Sequence, residues 1–154
     1  MTQVDRLPYL DEHATSIAAN PDAVWDALLE ALDGAFSRQG AATFARIVGC
    51  ADHEASGPRP LEPGSTIPGF RVVTSTPGTE LVLAGRHRFS SYALTFRLQH
   101  GAPGRAELRA ESRATFPGVA GGAYRLLVVR SGGHVVAVRR LLSAIRHHAE
   151  QRGH

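Results

Sequence analysis

Hydrophobic residues recur at steps of three and four along the last third of the chain. Side chains at this spacing lie on one face of a helix. The opposite side is rich in arginine, including Arg125, Arg139 and Arg140. The pattern predicts one long amphipathic helix over about 119 to 149 with one face towards a core. Its apolar stripe comprises Tyr124, Val128, Ser131, Val135, Val138, Leu142, Ile145 and Ala149.

The middle of this predicted helix is poor in side-chain volume. Ser131, Gly132 and Gly133 fill a core badly, and interior glycines cost about 1 kcal/mol each relative to alanine. We expect the helix to bend near Gly133 without ending there. We also expect Ser131 and Gly132 to border an internal space that the missing side chains leave open.

The region before the helix shows the two-residue alternation of strands. In the last of these segments, charged Glu107, Arg109, Glu111 and Arg113 alternate with small or apolar residues, which predicts a charged outer face and an apolar inner face. Short connections favour an antiparallel meander. The predicted strands are Phe70 to Thr76, Glu80 to Phe89, Tyr92 to His100 and Arg105 to Phe116.

The N-terminal part predicts a lead-in, a strand and a helix. Residues 1–10 lack periodicity and are expected to be disordered, with a first strand beginning near Asp11. Asn20 and Pro21 suit a helix start, and the following leucines predict a helix from Pro21 to about Leu32. Residues 41–48 fit either a second short helix or the lead into a strand.

These elements predict one α+β domain over residues 11–150. The expected architecture is a curved antiparallel sheet of six or seven strands wrapped around the long C-terminal helix, with one or two short helices after the first strand. A chain of 154 residues is long enough to bury a substantial core as one domain.

The amino-acid composition places few limits on the partners and the location of the protein. All 17 basic residues are arginine and the formal net charge is +3, which does not indicate a nucleic-acid partner. The single cysteine, Cys50, cannot form an internal disulfide, and no segment is apolar enough for a transmembrane helix. No signal peptide is recognisable, so we expect a cytoplasmic protein. The sequence leaves the oligomeric state open.

Three stretches resemble one known superfamily. They are TSIAANPDAVWDAL near the N-terminus, LVLAGRHRFSSYALTFRL in the middle and FPGVAGGAYRLLVVRSGGH before the final helix. In these stretches the chain is similar to the START-related SRPBCC superfamily, which includes polyketide cyclases and lipid-transfer proteins, and more specifically to an uncharacterised bacterial branch. The resemblance covers roughly residues 11–150. It implies the helix-grip fold and a hydrophobic ligand, and leaves any reaction open.

The residues also predict a cavity between sheet and helix. Small side chains on facing elements, such as Ala114, Ser112 and Gly132, leave volume that the apolar Leu94 and Phe96 would line. The alternative is a closer approach of the elements and a solid core, since native interiors pack densely.

The candidate ligand-binding residues follow from this phase assignment. His87 is the best-placed titratable group, with a hydrogen-bonded histidine at a strand end as the structural alternative. Tyr92 and Tyr124 either point hydroxyls into the cavity or pack as core aromatics. The inner face offers no aspartate or glutamate in this assignment, which favours binding over catalysis. The full candidate set is His87, Tyr92, Leu94, Phe96, Ser112, Tyr124, Ser131 and Gly132.

Other chemistries have little support in the sequence. His147 and His148 occupy adjacent helical positions that diverge, so no metal site is predicted. Cys50 lacks a catalytic signature, and no phosphate-binding loop suggests a cofactor. We therefore expect a carrier or sequestration protein for a hydrophobic small molecule, such as a lipid, polyketide or isoprenoid. The alternative is a cyclase- or dehydratase-type enzyme acting on a polyketide-like substrate in the same cavity.

Overall fold

The computed structural model describes residues 3–36, 49–52, 54–130 and 132–152. Six strands form one sheet with the order β1-β6-β5-β4-β3-β2, and every neighbouring pair is antiparallel. The strands are β1 (Tyr9–Ile17), β2 (Thr66–Ile67), β3 (Phe70–Thr76), β4 (Glu80–His87), β5 (Ser90–His100) and β6 (Ala106–Thr115). The meander predicted from the alternation is confirmed. Residues 41–48, for which a helix or strand was expected, lie outside the described residues.

The two faces of the sheet differ as the sequence predicts. Alternate residues of β6 are buried, and the intervening charged residues form ion pairs on the outer face. Arg97 of β5, for example, contacts both Glu80 and Glu111 at 3.2 and 3.1 Å. Such partly exposed pairs contribute little stability individually. Because these ion pairs lie on the outer face, the small and apolar side chains of β6 face the interior.

Helix α1 (Pro21–Phe36) continues a full turn beyond the predicted end at Leu32. Gly34 does not stop it, since one glycine weakens a helix without breaking it. The apolar face places Val24, Leu28 and Leu32 in the core, where each is fully buried. This face packs against the final helix and the sheet.

The C-terminal helical region is interrupted where the sequence predicts only a bend. Helix α2 (Gly118–Arg125) leads into a π-helical turn (Leu126–Arg130), and helix α3 (Gly133–Arg152) follows. Gly132 lies between them with φ of +81°, a left-handed conformation that glycine adopts without a side-chain clash. The expectation that the helix bends near Gly133 without ending is therefore wrong, because the backbone leaves helical geometry at Gly132.

The N-terminal lead-in contains regular structure where the sequence predicts none. A short 3₁₀-helix (Val4–Arg6) packs Val4, 9% exposed, against Val82 and Ala93 on the outer side of the sheet. Strand β1 begins at Tyr9, earlier than the expected Asp11. The absence of periodicity concealed this structure, because one buried valine in a short segment creates no repeating pattern.

The core fills one part of the space between sheet and helices. The second half of α3 buries Leu142, Ile145 and Ala149 against the sheet and α1. These positions belong to the predicted stripe and confirm it from Val138 onwards. The first half of α3 does not close against the sheet in the same way, and a cavity opens there.

Candidate functional site

A cavity of about 1040 Å³ lies between the sheet, α1 and the helical region. Its sheet wall includes Leu94 of β5 and Ala114 of β6, and its helical wall includes Ala31 of α1 and Ala137 and Leu141 of α3. Small side chains on opposing elements leave the space between these walls unfilled. A volume of this size is at the upper end of the range of small-molecule pockets.

One side of the cavity is built from an aromatic cluster comprising His87, Phe89, Tyr92, Phe116 and Tyr124. The His87 ring lies 4.7 Å from the ring centre of Tyr124 and 5.4 Å from that of Tyr92. Phe89 stacks on Tyr124 with centres 5.6 Å apart. Edge-on and stacked contacts of this kind hold rings in defined orientations. The cluster brings the β4–β5 hairpin together with α2, which follows β6 in the sequence.

His87 borders the cavity and is only partly exposed. Its Nδ1 accepts a hydrogen bond of 3.0 Å from the backbone N–H of Phe89, so the neutral ring carries its proton on Nε2. Burial lowers the pKa of His87 below its ordinary value, because desolvation disfavours the imidazolium. The neutral side chain therefore has one N–H donor left for another partner.

Tyr92 is held in place by a backbone carbonyl. Its hydroxyl donates to the oxygen of Gly69 at 2.6 Å and lies 3.7 Å from Cys50 Sγ. Desolvation raises the pKa of Tyr92 and likewise that of the Cys50 thiol, so both groups remain protonated near neutral pH. A protonated, buried thiol is a poor nucleophile, in line with the absence of a catalytic cysteine signature.

The opposite side of the cavity contains a polar cluster that the sequence did not indicate. The Asp11 carboxylate contacts His13 Nε2 at 3.3 Å and His134 Nε2 at 3.4 Å. His134 borders the cavity. Asp11 is the Cα partner of Ser112 across β1 and β6, which places it on the inner face. The expectation that the inner face carries no acidic residue is therefore wrong.

The missed signal was available in the first strand. Asp11 and His13 are in the same two-residue phase as Thr15 and the buried Ile17. His134, in contrast, could not be paired with Asp11 from sequence, because 123 positions separate them. Only the packing of α3 against β1 brings these residues together.

Five of the eight predicted ligand-binding residues line the cavity: His87, Tyr92, Leu94, Ser112 and Tyr124. Phe96 lies in the solid core, is fully buried and is absent from the lining. Gly132 is not part of the lining either, since the chain turns there between two helices. Ser131 lies outside the described residues. Whether the five lining residues contact a ligand stays a prediction.

The rim of the cavity carries a charged contact between the helices. Glu30 of α1 accepts hydrogen bonds from His148 at 2.9 Å and Arg152 at 2.8 Å of α3. The contact with His148 is the main cause of the lowered pKa of Glu30. Among the described residues, no group of three or more His, Cys, Asp or Glu side chains is arranged to hold a metal ion. Within the same part of the chain, no helix has the length and hydropathy needed to cross a membrane.

Comparison with known proteins shows the fold and not the activity. No protein-family model matches the chain, and no curated protein matches its sequence. Among solved structures, the ZhuI aromatase/cyclase from Streptomyces sp. R1128 superposes with a TM-score of 0.61 at 15% identity, covering 96% of each chain. A putative uncharacterised protein from Rhizobium leguminosarum gives a TM-score of 0.55 at 14% identity, covering 92% of this chain and 96% of the other.

A third similar structure is CalU16 from Micromonospora echinospora, with a TM-score of 0.52 at 17% identity. It covers 92% of this chain and 82% of that chain. Together with the sheet order and the C-terminal helix, these similarities show the helix-grip fold expected from the sequence. Identities this low establish a shared fold, while function depends on the site residues.

Proposed function

We propose that this protein binds a hydrophobic small molecule, such as a lipid, polyketide or isoprenoid, in the cavity between the sheet and α3. The proposed role is that of a carrier or sequestering protein. The observation that carries the proposal is a cavity of about 1040 Å³ that borders the core. Pockets lined mainly by apolar side chains with a few polar groups are typical of small-molecule sites.

The lining supports an apolar ligand with a few directed contacts. Leu94, Phe70 and Leu141 provide apolar surface, and the Nε2–H of His87 provides a donor within the aromatic cluster. Burying an apolar ligand surface contributes about 25 cal/mol per Å² before the costs of association. Apolar contacts therefore supply affinity, and the few polar groups supply orientation.

Uptake of N-phenyl-1-naphthylamine, a neutral apolar fluorophore, tests the proposal. We expect a saturable rise in emission with one site per chain. Ala144 lines the cavity and Ser143 does not, yet both are exposed positions of α3. Ala144→Phe should weaken probe binding several-fold because the ring enters the cavity, whereas Ser143→Phe should leave it unchanged. Absence of saturable binding, or equal effects of the two variants, would contradict the proposal.

The second candidate is a cyclase- or dehydratase-type enzyme acting in the same cavity. Two observations favour it: the fold similarity to the ZhuI aromatase/cyclase, and the Asp11–His134 pair, which places a carboxylate and an imidazole beside the cavity. Such a pair can transfer protons if the substrate reaches the imidazole. Turnover of aromatic polyketide precursors that is lost in His134→Phe, with probe binding retained, would favour the enzyme over the carrier.

A further inference from the structure

Ser112 has a buried hydroxyl with no hydrogen-bond partner. The residue is 3% exposed and borders the cavity, and its Oγ is unpaired among the described residues. Buried hydroxyl groups are nearly always paired, because an unpaired one costs about 1–3 kcal/mol. The cavity is the direction from which a partner could come.

The surroundings of Ser112 are polar on one side only. Across β5 its Cα partner is Leu94, and across β1 its Cα partner is Asp11. Asp11 in turn contacts His134, which borders the same cavity. Directly opposed residues in an antiparallel pair have Cα atoms about 4.5–5.5 Å apart, so Ser112 and His134 flank a common carboxylate.

Asp11 determines which ring nitrogens of the neighbouring histidines act as hydrogen-bond donors. A carboxylate only accepts hydrogen bonds, so Nε2 of His13 and of His134 both donate to it. Among the described residues, no hydrogen bond joins Ser112 to an imidazole, and its hydroxyl is therefore not activated as a nucleophile. The hydroxyl remains available as a donor and acceptor for a bound molecule.

Within the aromatic cluster, His87 is distant from Asp11, whereas Tyr92 lies on β5 next to the strand that carries Ser112. His87 lies on β4 and Asp11 on β1, with β5 and β6 between them. Three strand spacings of about 4.8 Å separate the two positions by about 14 Å. A ligand that spans the cavity would place its apolar body against one side and its end against the other.

We infer that Ser112, with His134 held by Asp11, forms a subsite for an uncharged oxygen-bearing group, a hydroxyl or carbonyl, at one end of the hydrophobic ligand. This inference rests on the proposed binding function and adds the chemical class of the ligand. An uncharged group is specified because an anionic end would lie beside the Asp11 carboxylate, and like charges repel. The Ser112 hydroxyl supplies the hydrogen bond that it lacks within the protein.

Displacement of N-phenyl-1-naphthylamine by naphthalene, 2-naphthol and 2-naphthoate tests the subsite. We expect the unmodified protein to bind 2-naphthol about tenfold more tightly than naphthalene, the value of one net hydrogen bond. Ser112→Ala should reduce this preference to about twofold or less without changing the affinity for naphthalene. Ser90→Ala is the control. Ser90 is the Cα partner of His87 and also places a buried hydroxyl at the cavity, and its loss should leave the preference for 2-naphthol over naphthalene intact.

Two further readouts separate a binding role from a structural one. Ser112→Ala should melt at the same temperature as the unmodified protein or higher, because no protein hydrogen bond is lost. Asp11→Asn should raise the affinity for 2-naphthoate relative to 2-naphthol, because it removes the repelling charge.

Three results would overturn the inference. They are an unchanged preference for 2-naphthol in Ser112→Ala, a clearly lower melting temperature for that variant, and a preference of the unmodified protein for 2-naphthoate. Failure of all three compounds and of the fluorophore to bind would overturn the proposed binding function itself, and the subsite with it. Normal binding of naphthalene without selectivity for 2-naphthol would overturn the subsite alone.

Discussion

Gly85 and Tyr92 are Cα partners across β4 and β5, and the tyrosine ring occupies the space that a side chain at Gly85 would need. A Cβ atom at Gly85 would lie 2.6 Å from Tyr92 Cε2 and would also collide with the carbonyl oxygen of Gly69. That carbonyl accepts the Tyr92 hydroxyl hydrogen bond. The glycine thus permits the position of a tyrosine that lines the cavity.

Gly85→Ala should therefore destabilise the protein by displacing Tyr92. Loss of the buried hydrogen bond to Gly69 predicts a decrease of about 1–3 kcal/mol in the free energy of unfolding, measured by urea denaturation. Gly122→Ala is the control, because open space surrounds this helical glycine. Alanine there should be neutral or stabilising by up to about 1 kcal/mol. Equal destabilisation by the two substitutions would contradict the steric explanation.

Leu94 and Leu98 should differ in their contribution to stability. Both face inward on β5 with similar exposure, 8% and 6%, but only Leu94 borders the cavity. Leu98→Ala removes contacts from a packed core and should cost about 2–5 kcal/mol. Leu94→Ala should cost less, because the space it leaves joins an existing cavity and does not create a new closed void. Chemical denaturation of both variants tests this, and a larger loss for Leu94→Ala would indicate that the cavity is closed in solution.

The titration of His87 should affect stability on the acid side of neutrality. Its pKa is lowered by burial, so the unfolded chain binds the proton more readily than the folded protein. Stability is therefore fully present above about pH 6.5, the ordinary histidine value, and decreases as pH falls below it. Protonation also removes the Nδ1 acceptor used by the Phe89 N–H.

An NMR titration of the His87 ring provides the direct measurement, and a pKa above 6.5 would contradict this prediction. In parallel, melting temperatures at pH 7 and pH 5.5 should differ less in His87→Asn than in the unmodified protein. Asparagine is a suitable comparison because its side-chain oxygen can replace Nδ1 as the acceptor for Phe89 while lacking a group that titrates in this range.

His87 should also anchor a bound ligand through its Nε2–H. His87→Ala should weaken binding of a ligand that accepts this hydrogen bond by about 1–3 kcal/mol. His87→Asn should weaken it comparably, because asparagine preserves the Phe89 contact and not the Nε2 donor. If the protein is an enzyme using His87 as an acid or base, turnover falls and binding stays nearly unchanged. Unchanged binding and turnover in both variants would exclude either role.

Sequence alone determined the architecture and much of one side of the cavity. The alternation in β6 assigns its inner face without reference to any other element, because successive side chains of a strand point to opposite faces. The stripe from Val138 to Ala149 likewise assigns the buried face of α3. Periodicity in addition placed His87, Tyr92 and Ser112 on the inner face, where they line the cavity.

Tertiary structure alone decided where the core ends and the cavity begins. Phe96 and Leu94 share one face of β5 and both belong to the core, yet only Leu94 also borders the cavity. The interruption at Gly132 depends on a backbone torsion, and the Asp11–His134 contact on how α3 crosses β1. Periodicity reports which face a residue occupies, whereas packing distance and chain direction depend on contacts between segments far apart in sequence.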